Sequence, residues 1–386
     1  MERYKKAIIF LIIAYAVFFY LQKTCKAASD NIFSPDGDRI KVEIWIENLE
    51  IPWSLVFLKD GRALVSERSG SIRLIKNGKL QNEPYAKIDV AHIGEGGLMG
   101  LAVHPDFPKK PFIYAMHTYK KEDSLYNRVI RLRDAKDKGI VDKIVIDKIP
   151  GGRLHNGGRI AFGPDGMLYI TTGEIFEADL AQDLRSYGGK ILRITPDGDI
   201  PKNNPFKDSP VYSYGHRNPQ GIAWHPEAND LFSSEHGPSG EFLRFGNDEI
   251  NIIQKGKNYG WPDVIGRGKK PQYVDPFILW EKTTPPSGMT FYQGERLRHL
   301  RGDLFVATLG AEALIRIRLK KEVSNYRVIR IERWFSRDYK RGRYGRLRDV
   351  VEGPDGALYF LTNNRDGRGS PRQGDDRIYR IMPQKE

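Results

Sequence analysis

Six turns of one plan recur along the chain, and each leads at once into a strand-like run. They are FLKDGRALV (57–65), VHPDFPKKPFIYA (103–115), FGPDGMLYI (162–170), WHPEANDLFSS (224–234), LRGDLFVAT (300–308) and EGPDGALYF (352–360). Proline presets the turn dihedral, aspartate bonds to its own backbone, and glycine takes the positive φ. Their spacing, about 45 to 75 residues, suits propeller blades with loop insertions. Between the turns run short alternations such as KVEIWIENL, SIRLIKNGK, KILRITPDG and LIRIRLKK. Alternation places successive side chains on opposite faces, which is the strand signature.

This repeat predicts an all-β fold, a six-bladed β-propeller of four-stranded antiparallel blades over residues 40–386. The early strand KVEIWIENL is expected to join the last blade, formed around DDRIYRI, and so close the ring. A pair of β-sandwiches is the rival architecture. It fits less well, because the repeat runs end to end and no Pro/Gly/Ser-rich linker divides the chain.

The first thirty residues read differently. MERYKK is basic, Ala7 to Leu21 is unbroken apolar, and polar residues follow. This is the pattern of an export signal or a short membrane anchor, and it places the remainder outside the cytoplasm, secreted or held at the cell surface. Cys25, in QKTC, lacks the small residues that precede a lipidated cysteine. It is the only cysteine in the chain, so an intrachain disulfide and a cysteine-based zinc site are both excluded.

The formal net charge is +13. Lys and Arg are scattered rather than gathered in a tract, so no nucleic-acid arm is indicated. A basic surface of this kind attracts acidic ligands, a polycarboxylate cofactor among them.

Four stretches carry residue types suited to chemistry. In GGRLHNGGRIAFGPDGMLYITTGE, His155 sits between glycine pairs and can act as a general base. Glu174 closes the following strand, where its carboxylate could fix the ring's tautomer; the plainer alternative is a loop histidine bonded to backbone. In YSYGHRNPQG, Arg217 offers a planar fork for carboxylates or carbonyls and Asn218 both a donor and an acceptor. His216 and His225 are read as structural. In SSEHGPSGE, the Gly237-Pro238 turn exposes carbonyl oxygens of the kind calcium takes, although most Gly-Pro pairs are only turns. In RYGRLRDVVEGPDG, Arg346 and Arg348 stand two apart, so on a regular strand they face one side; such a pair calls for an anion between them or for solvent.

The motifs SYGHRNPQG, DEINIIQKGKNYGWP, LHNGGRIAFGPDGMLYITTGE, AQDLRSYGGKILRITPDG and GRLRDVVEGPDGALYFLT resemble the soluble aldose sugar dehydrogenases of the glucose/sorbosone dehydrogenase family. Those enzymes are six-bladed propellers that use pyrroloquinoline quinone (PQQ) and calcium. The resemblance runs from about residue 40 to residue 382. It implies that His155 takes the C1 hydroxyl proton of an aldose while hydride passes to the quinone, giving a lactone and passing electrons to an external acceptor. It implies that Glu174 orients the base and that Arg217 and Asn218 contact the quinone. Arg346 and Arg348 would bind the cofactor, and the carbonyls of Gly237 and Pro238 would ligate calcium. Three positions depart from the family pattern. Glu95 stands where a glutamine contacts the cofactor, and a carboxylate there would repel an anionic quinone unless protonated or metal-bound. Glu174 replaces an aspartate, and Gly310 replaces a lysine found near the cofactor in some relatives. Two other functions fit a propeller. A metal-dependent lactonase would need a side-chain calcium cage that the sequence does not supply and would leave the paired arginines idle. A non-catalytic cell-surface propeller that binds a sugar or a protein would need neither His155 nor PQQ.

Overall fold

The computed structural model describes residues 32–384 apart from 324 and 340. The apolar N-terminal segment and Cys25 lie outside the described residues. Five blades follow in chain order, with innermost strands Pro52–Phe57, Leu98–Val103, Ile160–Phe162, Pro219–Trp224 and Pro286–Phe291. The sixth is built from Leu347–Glu352, Leu358–Thr362 and Ile378–Pro383, and its outer strand is Ile40–Ile46. That outer strand pairs antiparallel with Ile378–Pro383, from Ile40 opposite Pro383 to Ile46 opposite Ile378. The ring is therefore closed by the strand read as KVEIWIENL, as the sequence leads one to expect. Closure by hydrogen bonds between the two ends of the chain removes a free sheet edge. One addition was not anticipated: Ile32–Ser34 lies parallel on the outer strand of blade five.

All six recurrent turns connect the innermost strand of a blade to the second strand. In the two GPDG copies the fourth residue is at φ +74° (Gly166) and +72° (Gly356), and its N–H closes the turn on the carbonyl three residues back at 2.9 Å. The turns gather at one end of the ring. The starts of the innermost strands and the ends of the second strands gather at the other, here called the mouth.

Six buried apolar clusters lie one at each junction between adjacent blades. Between blades five and six, Trp334, Phe305 and Phe360 are fully buried. Each large apolar side chain so buried contributes roughly 1.5–3 kcal/mol. The ring is thus six wedges held face to face, and its axis is left for polar groups.

At that axis the innermost strands depart from regular pairing. In blades one, two, four, five and six the register slips by one residue close to the mouth. A bulge of this kind re-aims a side chain that regular pleating would send elsewhere. In blades one, four and six the skipped residues are Trp53, Gln220 and Arg348, and all three line the axial cavity.

Candidate active site

The cavity at the mouth, partly open to solvent, is bordered by Trp53, Glu95, Asn156, Gly157, Gln220, His236, Arg348 and Arg368. Each group arrives from the top of a different strand or loop, so no local stretch of sequence contains the site.

His155 lies on the loop entering blade three, one residue from the cavity wall, and is 5% exposed. Its backbone has φ +53°, and the glycines around it make that path possible. Gly157 packs on Thr171, and a Cβ on Gly173 would fall 1.9 Å from the His155 carbonyl oxygen. The ring Nδ1 hydrogen-bonds to the carboxylate of Glu174. A carboxylate only accepts, so Nδ1 carries the proton and Nε2 is left as the basic nitrogen. Among the described residues Nε2 has no hydrogen-bond partner. Glu174 is anchored in turn, its backbone N–H donating to the Arg217 carbonyl at 3.0 Å.

Blade four repeats this pair with a different outcome. His216 bonds to Glu235 across the same separation of 19 residues, but its Nε2 is engaged with Ser213 at 2.9 Å and its ring stacks on Tyr259. His216 has no exposed surface, in keeping with a structural role. His225 caps the turn that follows it, its Nδ1 accepting from the backbone of Glu227 and Ala228 at 3.3 Å each.

The arginines divide by partner. Arg346 is held by Asp366 at 2.8 Å, and Arg159 by Asp349 at 2.9 Å. Arg348 donates only to neutral oxygens: Gln220 at 3.0 Å, Asn363 at 3.4 Å and Ser287 at 3.5 Å. Burial pulls its pKa down to about 9 against the opposing pull of Asp366, and repulsion from Arg346 and Arg68 adds to the fall. Arg68, beside it, donates to the Gly94 carbonyl at 2.6 Å and likewise has no carboxylate partner among the described residues. Below these groups the guanidiniums of Arg159 and Arg348 lie 4.3 and 5.5 Å from the Trp53 ring centre. Arg346 and Arg348 are both buried, but their side chains take different partners. The bulge between Leu347 and Asp349 turns Arg348 into the cavity, while Arg346 turns toward Asp366.

Glu95 lines the cavity and is ionised there. Burial alone would raise its pKa, but Arg368 (2.6 Å) and the His155 backbone N–H (3.0 Å) outweigh this and hold it down to about 2. The repulsion expected of this carboxylate is thus met by an arginine, a solution the sequence alone did not suggest. Gly310 stands beside Pro285.

The remaining candidates sit at the mouth with their side chains engaged. Arg217 is buried and forks onto Glu241, with Nε at 2.9 Å. Asn218 accepts from the Gly157 N–H at 3.1 Å and from Gln220 at 2.9 Å, tying blade four to the His155 loop. The Pro238 carbonyl accepts from the Gly246 N–H at 3.1 Å, whereas the Gly237 carbonyl has no hydrogen bond among the described residues. No cluster of three or more His, Cys, Asp or Glu side chains able to hold a metal exists among the described residues, so any cation here rests on carbonyl oxygens and on a ligand's own donors.

Sequence reasoning missed Trp53, Arg68, Gln220, His236 and Arg368. His236 is adjacent to Gly237-Pro238, and its buried Nε2 is unpartnered. The repeat itself held a signal for two of them: innermost strands open Pro-Trp-Ser-Leu at Pro52 and Pro-Gln-Gly-Ile at Pro219, and the second residue of each is the one the bulge turns inward.

The chain matches the glucose/sorbosone dehydrogenase family over residues 49–379. It is 33% identical to an aldose sugar dehydrogenase of Escherichia coli over 86% of this chain and 93% of that one. Among solved structures, one from Thermus thermophilus, described as an oxidoreductase (glucose dehydrogenase), is 50% identical with a TM-score of 0.81, covering 89% of this chain and all of that one. The PQQ-bound aldose sugar dehydrogenase of Streptomyces coelicolor is 37% identical with a TM-score of 0.75, covering 90% and 99%. With the fold, the axial cavity and the matched length in agreement, this chain belongs to the glucose/sorbosone dehydrogenase family.

Proposed function

We propose that the protein oxidises aldose sugars at C1 to the lactone, using PQQ and calcium, and passes the electrons to an external acceptor. One observation carries this reading: Arg348, a buried guanidinium without a carboxylate partner, lines a cavity beside a histidine whose Nε2 has no partner among the described residues. An unmatched buried cation is unfavourable unless an anion completes it. Two buried nitrogens of cavity-lining residues, Arg348 Nε and His236 Nε2, have no hydrogen-bond partner and are free to serve a polar ligand. A tricarboxylate fits that donor set.

When bound, PQQ supplies a two-electron quinone that accepts hydride, and calcium supplies Lewis acidity. The chain's own residues do the rest. His155 takes the C1 hydroxyl proton at Nε2, so the sugar loses one proton and one hydride and becomes the lactone. Glu174 holds Nδ1–H and stabilises the imidazolium that forms. Arg348, Arg68 and Arg346 would hold the cofactor's carboxylates, and Arg217 and Asn218 would contact the cofactor. Arg368 neutralises Glu95, which in turn fixes the backbone of the base. The carbonyls of Gly237 and Pro238 are the calcium ligands in this reading. The basic-then-apolar N-terminus supports action outside the cytoplasm, by export or by attachment to a membrane.

The test is reconstitution. The purified protein, supplied with PQQ and calcium, should reduce an artificial dye in the presence of an aldose. No dye reduction with any aldose, together with no calcium-dependent PQQ binding, would remove the reading.

A further inference from the structure

The turn after the second strand of blade three is built against backbone preference. The Glu177 N–H donates to the Glu174 carbonyl at 2.8 Å, closing a four-residue turn. Its two central residues, Ile175 and Phe176, have φ of +54° and +70°. A turn with both central residues at positive φ is ordinarily made by Asn-Gly or a similar pair, because side chains crowd the backbone there. A β-branched isoleucine in that conformation is a genuine outlier. Strain of this kind persists where surrounding structure enforces it, and it gathers at functional sites.

The turn delivers one side chain to one place. The Phe176 ring lies 4.6 Å from the His155 ring, centre to centre, with the planes 34° apart. It remains 54% exposed, although His155 and Glu174 beside it are buried. Stability alone does not account for a half-exposed phenylalanine on a strained turn. We infer that Phe176 is a specificity-determining residue: its open surface receives the C–H face of an aldopyranose whose anomeric hydroxyl has reached His155. A pyranose ring with equatorial substituents presents a flat apolar C–H face to such a ring, and an axial hydroxyl projecting from that same face spoils the contact. The inference rests on the aldose reading above, and it adds which face of the sugar is recognised and by what.

The experiment uses the PQQ- and calcium-loaded protein and the variants Phe176→Ala, Phe176→Leu and Phe176→Tyr. Phe176→Ala should raise KM for D-glucose about tenfold and narrow the preference for D-glucose over a sugar with an axial hydroxyl such as D-mannose. Phe176→Tyr should stay near wild type and Phe176→Leu should fall between. PQQ affinity should change less than about twofold, since the residue serves the sugar. Calorimetric binding of 1,5-anhydroglucitol, which lacks the C1 hydroxyl, should weaken in parallel with KM and reads the contact without turnover. Unchanged KM, selectivity and anhydroglucitol binding in Phe176→Ala would overturn the inference. So would a fall in kcat alone, which would mean that the ring only shelters His155. A wild-type protein that oxidises no aldose would instead defeat the parent reading.

Discussion

His155 and Glu174 are joined through ring Nδ1, and the geometry leaves Nε2 facing no partner among the described residues. The carboxylate therefore both selects the tautomer and balances the charge the ring acquires when it takes a proton. These two tasks can be separated. Glu174→Gln keeps an acceptor for Nδ1–H but removes the charge, and kcat should drop about tenfold; Glu174→Ala removes both, and kcat should drop about a hundredfold. Steady-state kinetics at saturating PQQ and calcium decide this, and PQQ affinity should be unchanged in both variants.

Arg346 and Arg348 should respond unequally. Arg348 has only neutral partners, so its charge is available to an anionic ligand, whereas Arg346 is already satisfied by Asp366. Arg348→Met should weaken PQQ binding by about 1.5–3 kcal/mol, the scale of a hydrogen bond to a charged group, and Arg346→Met by less. Without ligand the order reverses. Removing an unmatched buried cation should leave the melting temperature of Arg348→Met equal to or above wild type, while Arg346→Met strands Asp366 and should melt lower. PQQ titration and thermal unfolding give the two readouts.

Glu241 competes for Arg217. Its carboxylate holds the guanidinium that an anionic ligand would otherwise engage. Glu241→Gln should therefore tighten PQQ binding about fivefold, which corresponds to about 1 kcal/mol. Weaker binding in that variant would mean that Glu241 positions Arg217 rather than occupying it.

Burial pulls the pKa of His236 from 6.5 down to about 3, with Arg217 and Arg348 reinforcing the effect against the opposing pull of Glu95. Between those values the unfolded chain binds a proton that the folded protein does not. Stability from this residue is thus complete above pH 6.5 and declines as pH falls toward 3, by at most about 1.4 kcal/mol per unit. His236→Gln, which does not titrate, should flatten the melting temperature against pH between 6.5 and 4 relative to wild type.

The architecture was legible because its punctuation is local. Pro, Asp and Gly at six turns report backbone dihedrals directly, and all six fall between the first and second strands of a blade. The closing strand was legible because Ile40–Ile46 alternates and has no nearby partner. The pairing of His155 with Glu174 followed from one strand and the loop before it. The rest depended on contacts without a sequence neighbourhood. Arg159 meets Asp349 across 190 residues, and Arg368 meets Glu95 across 273. Alternation alone did not separate the partners of Arg346 and Arg348. A period of two presumes regular pairing, and the bulge between Leu347 and Asp349 breaks it where the site is built.

The most direct measurement compares wild type with His155→Ala, both loaded with PQQ and calcium, for aldose-dependent dye reduction. Wild type should turn over, while the variant should bind PQQ with unchanged affinity and lose roughly 10²–10⁴-fold in kcat, the range supplied by a positioned base. Equal turnover in the two proteins would contradict the assignment of His155 as the base and, with it, the account of the axial site.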